Sequence, residues 1–181
     1  MHVYHGWIFV DYSGEWWYKR LSKRRKVSKI MVEPSVLMGH APAKVDDKGR
    51  LKVPAGFRKL IEEKYGSDCF ITSTDGERAT IYPMAVWYDF QGRLSKVPST
   101  SMPKAKLLER LNYYGQAATI DAQGRVLIPT ILRNVAGIVE DVVVIGNTDH
   151  LIVWNEERIQ RRMSETPLTN EDWKELELHG V

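Results

Sequence analysis

Arg50 and Lys52 alternate with Leu51 and Val53 in one short run, Arg50-Leu51-Lys52-Val53. An extended chain has a side-chain period of two, so the cations share one face and the apolar residues the other. A guanidinium beside an ammonium suits an anion. Arg can bond a phosphate, or the O6/N7 edge of guanine, through two parallel N–H groups, whereas Lys acts as a point charge. Asp46 stands four residues before Arg50, and Asp121 stands four residues before a second arginine, Arg125. The same spacing therefore allows a different use, in which each Arg pairs with its Asp and braces a turn. The residues alone leave both uses open.

The element that must position these side chains occurs twice. Ala43-Lys44-Val45-Asp46-Asp47-Lys48-Gly49-Arg50-Leu51-Lys52-Val53-Pro54-Ala55-Gly56-Phe57-Arg58 returns as Ala118-Thr119-Ile120-Asp121-Ala122-Gln123-Gly124-Arg125-Val126-Leu127-Ile128-Pro129-Thr130-Ile131-Leu132-Arg133. Six of the sixteen positions are identical: the Ala, the Asp, the Gly-Arg pair, the Pro and the last Arg. A repeat of this kind predicts a fold built from two copies of one unit. Each copy reads as strand, turn, strand and short helix. Asp46 and Asp121 can bond the turn backbone, Gly49 and Gly124 can take positive φ, and Pro54 and Pro129 suit the first turn of a helix. These four Asp and Gly residues are expected to shape the loops.

The flanking segments extend each unit. After Pro54, the residues Phe57, Leu60, Ile61 and Tyr65 fall on one helical face that stops at Gly66. Strands at 69–72 and 79–82 flank an Asp75-Gly76 turn. Pro83 opens a helix with Val86, Trp87, Phe90 and Leu94 inward. Residues 95–103 read as a linker, and Pro103 opens a helix with Leu107, Leu108, Leu111 and Tyr114 inward. In the second copy the short helix stops at Gly137. Strands at 142–145 and 151–154 follow, and Asn155 caps a helix with Ile159 and Met163 inward. Thr169 to Asp172 fits a capping signature before a terminal helix with Trp173 and Leu176 inward and its acidic face solvated. The boundaries are a basic leader at 1–37, a first repeat at 38–94, a linker and helix at 95–115, a second repeat at 116–163 and an acidic tail at 164–181.

The net charge of +3 hides an uneven distribution. Residues 1–37 hold seven Lys or Arg against three acids, and residues 38–181 hold nineteen against twenty. The overall balance therefore gives no argument for nucleic acid, and only a local one counts. Residues 44–59 supply it, with six basic side chains against Asp46 and Asp47. The leader, which contains Trp7, Trp16, Trp17 and a run of basic residues, is expected to be disordered or to lie upstream of the true start. The single Cys69 excludes an intrachain disulfide and fits a reducing compartment. No apolar run has the length of a membrane helix. Scattered His, no phosphate loop and Glu pairs that face apart on helices argue against an enzyme, a metal site, a cofactor or a small-molecule substrate.

The repeat resembles the MraZ family of transcriptional regulators, two-copy members of the SpoVT/AbrB-like superfamily. The resemblance rests on Asp46-Asp47-Lys48-Gly49-Arg50 with Pro54 and Phe57-Arg58, and on Asp121-Ala122-Gln123-Gly124-Arg125 with Pro129 and Leu132-Arg133. It covers about residues 36–163. It implies an α+β fold with a mainly β core: a pseudo-symmetric swapped-hairpin β-barrel with flanking short helices. It further implies a ring homo-oligomer in the cytoplasm, at the nucleoid, bound to double-stranded DNA. The expected targets are direct repeats in the chain's own promoter, ahead of a division and cell-wall gene cluster that it represses. Carried over by position, the DNA-facing residues are Lys48, Arg50 and Arg125, and the charge pattern adds Lys52 as a phosphate contact. Gln123 stands where the first copy has Lys48, so the second loop is less cationic. Two other readings compete: an antitoxin of the same superfamily, and a ring-forming interaction protein without DNA binding. Antitoxins of this type carry one repeat and pair to complete the barrel, which the double repeat argues against.

Overall fold

The computed structural model describes residues 36–180, so the reading of residues 1–35 falls outside the described residues. The first repeat gives β1 (His40–Val45), β2 (Arg50–Lys52), α1 (Ala55–Tyr65), β3 (Asp68–Thr72), β4 (Ala79–Pro83) and α2 (Met84–Ser95). Helix α3 (Met102–Tyr113) joins the repeats. The second gives β5 (Gln116–Thr119), β6 (Arg125–Leu127), α4 (Thr130–Ala136), β7 (Glu140–Asn147), β8 (His150–Asn155) and α5 (Glu156–Glu165), and α6 (Asn170–Leu178) ends the chain. Leu37, counted with the leader in the sequence, is 2% exposed and bridges Thr148 through two backbone hydrogen bonds, so it belongs to the fold.

The strands form one antiparallel sheet in the order β5-β3-β4-β8-β7-β1-β2-β6. Its two ends meet where Asp121 N–H donates to Arg125 C=O, and the result is a nearly closed barrel. The repeats interlock. β1 pairs with β7 of the other copy (Ala43↔Val142), and β5 pairs with β3 in the matching register (Ala118↔Cys69). Two pairings join equivalent strands, β4 with β8 and β2 with β6. In the first, Ala79 faces Val153, Thr80 faces Ile152 and Ile81 faces Leu151, which is the register of a two-fold axis between the copies. Neither repeat can complete its sheet alone.

Period-two alternation fills the barrel. Leu51, Ile71, Val126, Ile128, Val144, Leu151 and Val153 point inward and are at most 1% exposed. The α1 residues Phe57 and Ile61 and the α4 residues Leu132 and Ala136 close over the same core. Phe70 and Tyr82 point the other way and begin a second, outer core with Trp87, Leu94 and Leu111. Phe70 and Trp87 stack with ring centroids 4.2 Å apart. The buried Thr72 hydroxyl donates to the Leu111 carbonyl at 2.7 Å and ties the last turn of α3 to β3.

Several sequence expectations need correction. Pro54, Pro83 and Pro129 precede their helices as caps, with ψ of 136°, 143° and 134°, rather than lying in the first turn. Proline fixes φ but leaves ψ free, so it can end the extended segment instead of opening the helical one. The stripes of α1, α2 and α3 pack as expected. Met163 and Trp173 do not: they are 65% and 49% exposed, and α6 buries no residue. The α6 capping box is nevertheless complete, with Thr169 and Asp172 bonding reciprocally. No helix among the described residues is long and apolar enough to cross a membrane.

Candidate nucleic-acid interface

The two Asp-x-x-Gly-Arg turns lie together at one end of the barrel because β2 pairs with β6. The register sets Arg50 opposite Leu127, Leu51 opposite Val126 and Lys52 opposite Arg125. Leu51 and Val126 are buried, which leaves Arg50, Lys52, Arg125 and the 45%-exposed Leu127 on the outward face of a two-stranded ribbon. Lys52 and Arg125 are thus like charges directly opposite each other, an arrangement that destabilises a sheet by itself. Lys52 relieves part of this by donating its ammonium to the Gln123 backbone carbonyl across the two copies.

Each turn is built alike. Asp46 Oδ1 accepts from the backbone N–H groups of Arg50 at 2.8 Å and Lys48 at 3.1 Å. Its Oδ2 accepts from Arg50 Nε at 2.8 Å and lies 2.7 Å from Nη2. Asp121 repeats the pattern with Arg125, at 2.8 Å to the backbone N–H and 2.9 Å to both Nε and Nη2. The turn-bracing pairs that the spacing allowed are therefore formed. They do not consume the arginines, since Nη1 of each has no hydrogen-bond partner among the described residues. Arg125 is held more closely, because its Nη2 also donates to the Gln123 side chain at 2.9 Å.

Charge follows from these bonds. The Arg50 side chain, then its backbone N–H, holds the Asp46 carboxyl below its ordinary value of 3.8. For Asp121 the backbone N–H of Arg125 is the largest cause, in the same direction. A carboxyl held lower in the folded state than in the unfolded chain adds stability above the unfolded value and loses it as pH falls through the folded one. Unfolding midpoints in urea should therefore fall below about pH 4. The Asp46→Asn/Asp121→Asn double variant should start lower and change less over that range. An equal acid response in both proteins would separate the turns from acid stability.

Sequence reading gave no role to Arg58 and Arg133, although the Arg that ends each copy is identical. The structure shows that each crosses to the turn of the other copy. The Arg133 guanidinium lies where a Cβ on Gly49 would stand, and Gly49 has φ +79°. Gly124, at φ +74°, faces the Arg58 stem, with Cδ 2.8 Å from the position of a Cβ. Arg58 also donates to the Ala122 carbonyl at 3.2 Å. Backbone bonds run the same way, from Val53 N–H to Gly124 C=O and from Ile128 N–H to Gly49 C=O. Arg58 pairs with Glu62 at 2.7 Å, while Arg133 meets only the Ile128 carbonyl and the Thr130 hydroxyl. The counterpart of Glu62 in the second copy is Gly137, so the charge of Arg133 stays uncompensated among the described residues. Arg133 thus adds a cation without an ion-pair partner to the first turn, where the exposed Lys48 stands beside Asp47, while the Lys52 ammonium lies at the second turn.

Cys69 Sγ lies 3.4 Å from the Ala118 carbonyl inside the barrel, and burial, then the Asp68 charge, push its pKa up to about 12. The thiol is thus protonated and inert at neutral pH. Among the described residues no group of three His, Cys, Asp or Glu could hold a metal ion.

The fold defines a class: a two-repeat swapped-hairpin barrel of SpoVT/AbrB-like type, with both Asp-x-x-Gly-Arg turns at one end. A family profile described as "MraZ protein, putative antitoxin-like" matches residues 36–110 and 115–177. The chain is 47% identical over 143 residues to the Transcriptional regulator MraZ of Acidobacterium capsulatum, covering 79% of this chain and 98% of that one. It is 43% identical over 144 residues to the protein of the same name from Koribacter versatilis, with the same coverage. A third, from Herpetosiphon aurantiacus, is 34% identical over 69% of this chain and 85% of its own. This chain belongs to the MraZ family.

Proposed function

We propose that the chain is a DNA-binding transcriptional regulator that reads duplex DNA through the β2–β6 ribbon and its two turns. The observation that carries this reading is the outward face of that ribbon. Arg50, Lys52 and Arg125 converge there, with Lys52 and Arg125 held opposite each other despite their repulsion. Asp121 holds Arg125 and the Gln123 carbonyl holds Lys52, so the fold tolerates the pair and keeps three cations on one outward face, where an anion fits. The major groove admits a two-stranded β-ribbon. Relatives at 43–47% identity that carry the name of a transcriptional regulator support the same conclusion.

In this reading Arg50 meets base edges, held in place by Asp46 on one side of its guanidinium. Lys48 and Lys52 meet phosphates. Arg125, more tightly engaged by Asp121 and Gln123, contributes less. Asp46, Gly49, Asp121 and Gly124 hold the turns in shape. The regulator acts as a repressor on direct repeats in its own promoter, ahead of a division and cell-wall gene cluster, in the cytoplasm at the nucleoid. Several copies in a ring each offer one cationic turn, which compensates for the near-neutral body.

Binding of the DNA just upstream of its own gene, against a shuffled duplex, tests the reading across a salt series. Log K should fall linearly with log salt. Lys48→Ala and Lys52→Ala should each reduce that slope by about one per contact removed, while weakening both duplexes alike. Unchanged slopes in both variants would remove these lysines from the interface.

A further inference from the structure

The two-fold relation between the repeats holds inside the barrel but fails outside it. In the first half, the outer face of β3 and β5 is covered: Phe70 stacks on Trp87 of α2, and Leu111 of α3 completes the cluster. The pairing registers place Val143 at the position of Phe70 and Pro42 at that of Ala117. Counting from β8, Ile159 of α5 takes the place of Trp87. The same face in the second half is an open groove of about 770 Å³, lined by Pro42, Val143, Ile145, Ile159 and Met163 among others. Val143 and Ile159 are smaller than Phe70 and Trp87 and leave room, and among the described residues nothing equivalent to α3 lies over them. The segment that follows α5 as α3 follows α2 is α6.

Helix α6 matches the vacant position. Trp173 and Leu176 share one face, and four carboxylates stand against Lys174 on the rest. Trp173 is 49% exposed. The contact is apolar in kind: Ile159 and Met163 of α5 line the groove, while Glu156 stands at its edge. Yet α6 does not reach its own groove. The link from α5 is the four residues Thr166 to Thr169, against six from Lys96 to Ser101 between α2 and α3. Both ends of the short link are fixed. Thr166 donates its N–H and its hydroxyl to the Arg162 carbonyl, and Thr169 sits in the capping box.

We infer that α6 of one copy docks, Trp173 first, into the β1–β7–α5 groove of the next copy and stands where α3 stands in the first half. Helix and groove are different patches, so the contact is heterologous. Repeated in one direction, it closes a ring if the rotation allows. This inference rests on the self-association in the proposed function and says which surfaces make it.

The test uses Trp173→Glu, which spoils the helix, and Met163→Glu, which spoils the groove. Both residues are exposed, so neither change endangers folding, and thermal melting checks that. Light scattering should show each variant as a single protomer at concentrations where the wild type is multimeric. A mixture of the two should form dimers and nothing larger, because one sound helix meets one sound groove and both remaining ends are spoiled. A multimeric wild type with unaffected variants would overturn the α6 contact and leave the ring standing. Two monomeric variants that stay monomeric when mixed would likewise overturn it. A wild type that is monomeric throughout would remove the ring and the contact together.

Discussion

Leu51→Ala is expected to cost about 2–5 kcal/mol of folding stability, toward the upper end of that range. Leu51 is fully buried in the β2–β6 pair, opposite Val126. Both strands are three residues long and held by cross-copy backbone bonds, so the site cannot collapse onto the cavity, and cavity cost rises with the volume left behind. Against a total of about 5–15 kcal/mol for a typical domain, one such change consumes much of the margin. The ribbon supplies its own control. Leu127, one residue beyond the partner of Leu51 but on the outer face, is 45% exposed, and Leu127→Ala should stay within about 0.5 kcal/mol. Urea unfolding should show the midpoint of Leu51→Ala far lower and that of Leu127→Ala almost unmoved. Equal shifts would deny the inside–outside division on which the interface depends.

The second large effect concerns affinity. Trp173→Glu leaves both turns untouched, yet it should weaken binding to a promoter fragment with several repeats by about 10²–10⁴-fold. Linked sites turn each further contact into an intramolecular event, and a lone protomer forfeits that gain. The loss should disappear on a duplex carrying a single repeat, where wild type and variant compete on equal terms. An identical loss on both duplexes would trace the effect to a damaged protomer instead.

Much of this molecule was legible in the sequence, and the gaps have physical causes. The alternation in Arg50-Leu51-Lys52-Val53 was visible because a strand with one buried face imposes period two, and the helical stripes of α1 to α3 were visible for the matching reason. Asp46 and Asp121 announced their turns. The role of Arg58 and Arg133 was not readable, although their identity in both copies was a signal. Each acts on the turn of the other copy, and no local pattern encodes a contact across 64 residues or more. The misplacement of Met163 and Trp173 has a related origin. Their spacing fits an apolar stripe, but a stripe reports only that a face is apolar. It does not say whether the surface that covers it belongs to the same copy. The competing uses of Arg50 were likewise inseparable by spacing, since pairing with Asp46 and leaving Nη1 open satisfies both at once.

In the proposed function the first turn reads DNA. Fluorescence anisotropy on the fragment upstream of the gene, against a shuffled duplex, tests it most directly for the wild type, Arg50→Ala and Arg125→Ala at two salt concentrations. A preference for the native fragment should vanish with Arg50→Ala and weaken less with Arg125→Ala. Equal binding to both duplexes, unchanged by either substitution, would contradict it.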